Sequence, residues 1–319
     1  MKLNLSRSRF LNLFLLTTLS VVIVFNLFVS SSVPAEVPAT AQDNPITEDY
    51  RIHSLPIPEK LSFAGETVPM NKTYVRESYD RELLVNTYWQ SSTLLLIKKS
   101  KRYFSIIEPI LAAQGVPDDF KYLPMIESSL QERIVSPAGA VGLWQFLSAA
   151  AKENGLEVNK EVDERYHIEK ATIAACKYLK DAYNKFGSWT LAAASYNAGL
   201  RGIQNQIEKQ KTSNYYELLL NEETARYVFR LLAIREIVSN PAEFGFIVGE
   251  DDFYPIIETD TLVISGPVPD FADFAKGHGI TYRELKDLNP WLRETFLTNA
   301  SGKQYTIRLP KPGAFEVQP

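Results

Sequence analysis

The segment Lys121-Tyr122-Leu123-Pro124-Met125-Ile126-Glu127-Ser128-Ser129 sets one acidic side chain into an apolar helical pattern. On a helix, Phe120, Leu123, Glu127 and Leu130 recur at spacings of three and four and share one face. That face is apolar, so an ionised carboxylate without partners is costly there. Its pKa is expected to be raised by desolvation. A carboxylic acid that keeps its proton near neutral pH can donate it to a glycosidic oxygen. The same segment admits a structural reading, in which Glu127 merely pairs with an arginine such as Arg133 or Arg165. Pro124 lacks an N–H and is expected to disturb the helix just before Glu127.

The pattern on either side stays helical. Tyr88, Leu94, Leu95, Ile97, Tyr103, Ile106, Ile107, Ile110 and Leu111 recur at helix-like spacings. Gly115 stops this helix, and Pro117 with Asp118 and Asp119 opens another. Further helices are expected at 168–186, 190–196 and 224–238. No strand-rich stretch interrupts them, so the main domain, 75–248, is expected to be all-α. The character changes after Pro241. A short strand at 261–264 precedes a helix at 271–276, which Gly277 and Gly279 stop. Thr281 and Glu284 make a capping-box pattern for a second helix, and Asn289-Pro290 ends it. A final strand follows at 304–309. This βααβ order, assigned to 255–312, is about the size of the smallest independent domains.

Composition bounds the rest. The chain has 319 residues, 45% of them apolar and 23% charged, enough for one good-sized domain and a smaller one. The net charge of −4 and the scattered basic residues give no reason to expect a nucleic-acid partner. The short run Lys98, Lys99, Lys101 and Arg102 reads as a solvated helix face. Lys2, Arg7 and Arg9 precede an apolar stretch at 10–29, so 1–32 reads as a signal peptide or a retained N-terminal membrane anchor. Either places the remainder in the periplasm or cell envelope. Residues 33–74, rich in Pro, Ser, Thr and Ala, read as a linker. Cys176 reads as a small buried hydrophobe. His53, His167 and His278 offer no metal-ligand spacing, and neither a metal nor another cofactor is expected.

Three further segments carry polar chemistry. Ser136-Pro137-Ala138-Gly139-Ala140-Val141-Gly142-Leu143-Trp144-Gln145-Phe146 puts glycines, which let backbone approach a ligand closely, before an aromatic and an amide. Ala192-Ala193-Ala194-Ser195-Tyr196-Asn197-Ala198-Gly199 ends a small-residue helix with a polar pair. Glu222-Glu223-Thr224-Ala225-Arg226-Tyr227-Val228 opens the last long helix. The bland alternatives are core packing for Tyr196, Tyr227 and Trp144, and loop bracing for Gln145.

In order and spacing, these segments resemble the lytic transglycosylase domain of glycoside hydrolase family 23 over about 75–245. They correspond to its Glu-Ser, Gly-Leu-x-Gln, Ala-Tyr-Asn and Glu-Thr-x-x-Tyr-Val signatures. Val162-Asp163-Glu164-Arg165 and Ala174-Ala175-Cys176-Lys177-Tyr178-Leu179 resemble a membrane-bound branch of that family. The resemblance implies a mainly α fold, with a lysozyme-like all-helical catalytic domain before the small module. It implies Glu127 as the catalytic acid and Ser136, Gln145, Tyr196, Asn197, Glu223 and Tyr227 as substrate-binding residues. It also implies cleavage of peptidoglycan glycan strands by one carboxylate, acting as acid and then base, with 1,6-anhydromuramoyl ends as product. A hydrolysing muramidase and an inactive peptidoglycan-binding scaffold are the alternatives. Leu147-Ser148-Ala149-Ala150 departs from the family's Met-Pro-x-Thr, and Leu220-Asn221-Glu222 lacks its proline. The module at 259–310 resembles a degenerate LysM domain, a binder of N-acetylglucosamine glycans. It carries Gly266-Pro267-Val268-Pro269 where Gly-Asp-Thr-Leu is usual.

Overall fold

Alternating apolar side chains begin the fold earlier than expected. The computed structural model describes residues 52–316. The segment 1–32, read as signal or anchor, lies outside the described residues. Two short strands, β1 (Leu61–Phe63) and β2 (Glu66–Val68), pair antiparallel. Ala64 and Gly65 turn the chain between them, both at positive φ. Leu61, Phe63, Val68 and Met70 are buried in the main core. This corrects the linker reading of 33–74 over its described C-terminal part. Strands of three residues are too short for alternation to stand out from a Pro- and Ser-rich background.

The helices follow in chain order. They are α1 (Thr73–Tyr88), α2 (Gln90–Gln114), α3 (Leu123–Ser128), α4 (Ser148–Glu153), α5 (Ile168–Phe186), α6 (Trp189–Ala198), α7 (Leu200–Gln210) and α8 (Glu222–Ser239). Gly115 ends α2 in the left-handed conformation, as its position suggested. Helix α5 buries Ala171, Ala174, Ala175, Leu179 and Ala182 at helical spacing and packs on α2 and α6. Helix α6 is lined by Leu191, Ala192, Ala193, Ala194 and Ser195, all buried; such small side chains let neighbouring helices come close. Helix α8 packs against both α1 and α6 and buries Tyr227, Val228, Leu231, Leu232 and Ile234. Cys176 is fully buried on α5 and its thiol is pushed up to about 11 by burial, which makes it an unreactive core residue.

Glu66 of the hairpin caps α6. Its carboxylate accepts from Trp189 N at 2.5 Å, Thr190 N at 2.9 Å, Ser188 Oγ at 2.9 Å and Thr190 Oγ1 at 2.5 Å. An anion there satisfies backbone donors that the first helical turn leaves open and opposes the helix dipole.

The C-terminal module consists of β3 (Thr259–Ile264), α9 (Phe271–Gly277), α10 (Tyr282–Leu288) and β4 (Tyr305–Pro310). The two strands pair antiparallel in a register that sets Thr259 opposite Pro310 and Ile264 opposite Tyr305. Thr281 and Glu284 form the reciprocal cap expected at the start of α10. The module shares its core with the helical domain: Val141, Val162 and Tyr166 cluster with Phe271, Trp291 and Ile307. Backbone bonds from Asp163 N to Trp291 O at 2.9 Å and from Arg293 N to Glu161 O at 2.8 Å join the two. A unit this small buries little surface alone, and the shared core stabilises it.

The basic run on α2 stays at the solvent surface, as read, and there meets acidic and carbonyl partners. Lys98 pairs with Asp252, Lys101 with Glu250, and Arg102 Nε donates to Pro255 O at 2.8 Å. The Lys101 ammonium also sits 4.0 Å from the ring centre of Phe253. The run fastens the connector between domain and module. Sequence spacing alone could not reveal this, because both partners lie about 150 residues downstream. Among the described residues, no helix is long and apolar enough to cross a membrane.

Candidate active site

The carboxylate of Glu127 is positioned by a short, interrupted helix. Asp118–Tyr122 forms a 3-10 turn, and α3 begins immediately after it with Pro124 in its first turn. Pro124 therefore divides what would be a longer helix, as its missing N–H dictates. Phe120, Leu123 and Leu130 on the Glu127 face are almost fully buried. Beyond the helix, Ser129 and Leu130 both adopt φ near +52. Two consecutive left-handed residues without glycine are strained by about 1–3 kcal/mol each. The turn swings the chain away directly behind the carboxylate.

Glu127 keeps a limited opening to solvent but is enclosed by protein on its other sides. Burial pushes its carboxyl up to about 7, and the nearby Glu223 raises it further. A hydrogen bond from Tyr227 and the charge of Arg230 act in the opposite sense. The Tyr227 hydroxyl donates to Glu127 Oε1 from helix α8. Neither arginine of the structural reading pairs with Glu127. Arg133 binds Asp287 at 2.8 Å, and Arg165 binds Asp163 at 2.7 Å.

Tyr196 comes from the end of α6. Its ring lies edge-on to Phe146 and Tyr178, and its hydroxyl donates to Trp144 O at 2.8 Å. Burial raises the phenol strongly, and the charge of Glu127 adds to this, so the two groups share one electrostatic environment. Asn197 bridges to α8: Nδ2 donates to Glu223 at 3.2 Å, and Oδ1 accepts from Thr224 Oγ1 at 2.7 Å. Glu223 is exposed. Trp144 is fully buried and donates to Thr172 Oγ1 at 2.9 Å, so it is a core residue.

Ser136 and Gln145 brace their own loop. Ser136 Oγ accepts from Ala140 N at 3.0 Å, and Gln145 Nε2 donates to Gly142 O at 2.8 Å. Gln145 sits at φ +49, another non-glycine residue in the left-handed region. At Gly142, φ is +77 and a Cβ would lie 2.2 Å from Arg165 O, so no larger residue fits. Arg165 also donates from Nη1 to Gly139 O and Phe146 O, each at 3.2 Å. Arg165 therefore buckles both ends of the loop. Sequence reasoning had considered it only as a partner of Glu127. Arg230 was missed as well; its signal was its place three residues after Tyr227 on one helix face.

Residues 105–219 match the Transglycosylase SLT domain, and residues 260–313 match the soluble lytic transglycosylase C-terminal LysM-like domain. The chain carries a transglycosylase SLT domain. The SLT match ends before α8, yet α8 supplies the tyrosine that holds Glu127. The chain is 27% identical to membrane-bound lytic murein transglycosylase D of Escherichia coli K12 over 268 residues. That match covers 81% of this chain and 57% of the relative, so the chain spans little more than half the relative's length. It is also 28% identical to a putative tributyltin chloride resistance protein of Alteromonas sp. M-1, over 37% of this chain and 59% of that protein. The helical SLT domain followed by a LysM-like module agrees with the fold class read from the sequence.

Proposed function

We propose that this chain is a peptidoglycan lytic transglycosylase, cutting the β-1,4 bond between N-acetylmuramic acid and N-acetylglucosamine. The observation that carries the reading is a carboxyl near neutrality, enclosed in the SLT domain and held by a tyrosine hydroxyl. A group poised at about 7 can give and retake a proton at physiological pH.

Glu127 donates its proton to the glycosidic oxygen, and the C1–O bond breaks. The resulting carboxylate is steadied by Tyr227 and by the charge of Arg230. Glu127 then takes the proton of the same sugar's C6 hydroxyl as O6 bonds to C1. The 1,6-anhydro ring closes without consuming water. The nucleophile is intramolecular, which gives it a high effective concentration. Tyr196, Asn197 and Glu223 line the sugar path in this reading, and Ser136 and Gln145 hold the loop that borders it. The catalytic domain, read from sequence as 75–248, extends in this proposal back to the hairpin at β1. The 255–312 module is its LysM-like partner. The cell envelope is the site of action, with 1–32 as export signal or anchor.

Digestion of purified sacculi tests the proposal. Glu127→Gln is expected to abolish release of muropeptides while leaving the fold intact. Wild-type products are expected to be lighter by one water than hydrolysis products. Products with that water would identify a muramidase, and no products a scaffold.

A further inference from the structure

Glu82 is a buried carboxylate that the proposed reaction does not use. It lies on α1 with 1% of its surface exposed. Its two oxygens accept from one guanidinium: Arg226 Nε donates at 2.6 Å and Nη2 at 3.3 Å. Arg226 stands on α8, one residue before Tyr227, and its Nη1 also lies 3.5 Å from Glu222 Oε1. Glu222 in turn pairs with Arg81 of α1 at 3.0 Å. Helices α1 and α8 are thus clasped at the turn of α8 that carries Tyr227. A buried ion pair is a poor source of stability, because desolvation of the two charges offsets their attraction. Its better-attested use is to fix how two elements meet. The fork of a guanidinium matches a carboxylate in one plane, so it sets orientation as well as distance.

Neighbouring residues on a helix point about 100° apart. With Arg226 held against α1, Tyr227 is turned toward α3, where its hydroxyl donates to Glu127. A rotation of about 15° about the α8 axis moves side-chain atoms that stand about 6 Å out by about 1.5 Å. That breaks a hydrogen bond, whose lengths spread over about 0.5 Å. We propose that Glu82 is a positioning residue that aims the Tyr227 hydroxyl at Glu127 through Arg226, a role that rests on Glu127 being the acid of the proposed reaction. Both Glu82 and Arg226 lie outside the 105–219 SLT match, so α1 belongs to the catalytic machinery although it precedes the matched segment. The start of α8 has other supports. Asn221 Oδ1 accepts from Thr224 N at 2.9 Å, and the Tyr215 hydroxyl donates to Thr224 O at 2.9 Å and Ala225 O at 2.7 Å. The helix therefore survives loss of the pair, while its rotation relaxes.

The full chain carrying Glu82→Leu with Arg226→Met tests this, since apolar groups of similar bulk often replace a buried ion pair without loss of stability. Glu82→Gln is the second variant, and it decides the matter should the paired variant not fold. Carbon NMR of the glutamate-labelled chain follows the Glu127 carboxyl, its signal identified by its absence in Glu127→Gln. Loss of the Tyr227 hydrogen bond is expected to move this titration up by about one pH unit in the paired variant, the scale of one hydrogen bond to a charged group. Glu82→Gln is expected to move it the same way by a smaller step. Bare removal of a negative charge would move it down, so the sign separates aim from field. In sacculus digestion the high-pH limb is expected to rise with the titration, and kcat to fall about tenfold. In a Tyr227→Phe background neither variant is expected to change titration or kcat further. A titration left unmoved or lowered in the folded variants overturns the inference, as does an undiminished effect once the Tyr227 hydroxyl is gone. Wild type that releases no muropeptides refutes the proposed activity instead, and the carboxyl titration then decides on its own whether Glu82 aims Tyr227.

Discussion

Replacing Glu127 by glutamine should stabilise the folded protein, and only above acid pH. Glu127 is raised from 4.5 to about 7. At about 1.4 kcal/mol per pH unit, the full shift corresponds to about 3 kcal/mol. The sign follows from which state holds the proton. Below pH 4.5 both folded and unfolded chains are protonated at this site, and the group contributes no difference. Between 4.5 and 7 the unfolded chain releases its proton while the folded chain keeps it, so stability falls as pH rises. Above 7 the penalty is complete, because the folded state must hold the charge in the enclosed cleft. Glutamine never ionises, and its carbonyl can still accept from Tyr227. The variant is therefore expected to match wild type near pH 4. It should exceed wild type by about 2–3 kcal/mol at pH 8–9, allowing for the partial opening of the side chain to solvent. For a chain of this size the gain corresponds to roughly 5–10 °C in Tm. Thermal unfolding of both proteins across pH 4–9 measures it. A stability difference that does not change with pH would falsify the assignment of Glu127 as a desolvated acid.

Other outcomes follow from the same geometry. Tyr227→Phe removes the hydrogen bond that favours the ionised carboxyl. The high-pH limb of the pH–rate profile should move further upward and kcat should fall; an unmoved limb would show that the hydroxyl does not tune Glu127. Gly142→Ala drives a methyl group into Arg165 O at 2.2 Å from a left-handed backbone. A loss of about 3 kcal/mol or more and of most activity is expected in denaturant titrations and sacculus digestion. Glu66→Ala removes four hydrogen bonds at the start of α6. It should cost about 2–4 kcal/mol, whereas a neutral result would show that the hairpin is dispensable.

Much of this protein was legible in its residues. Apolar spacing defined the long helices, and α5 begins and ends at the residues its pattern marked. The Thr281–Glu284 cap and the glycine stop at Gly115 were likewise readable, because such signals act over one helical turn. Glu127 stood out because a carboxylate on an apolar face is rare and costly. What neighbours it was not readable from spacing; only the family resemblance implied that Tyr227 lies near it. Tyr227 lies 100 residues away, and its aim at Glu127 depends on how α8 crosses α3. Arg165 could equally have paired with Glu127; the fold gives it to Asp163 and the Gly-rich loop. The hairpin was hidden because strands of three residues hold too few alternations to stand out from their surroundings. The sequence by itself determined the longer helices, the local caps at Gly115 and Thr281 and the acid on an apolar face, since these depend on local spacing and side-chain polarity. The tertiary structure alone decided the partners of each charge and the joining of module to domain. Those contacts are made between residues far apart in the chain, where packing rather than periodicity sets who meets whom.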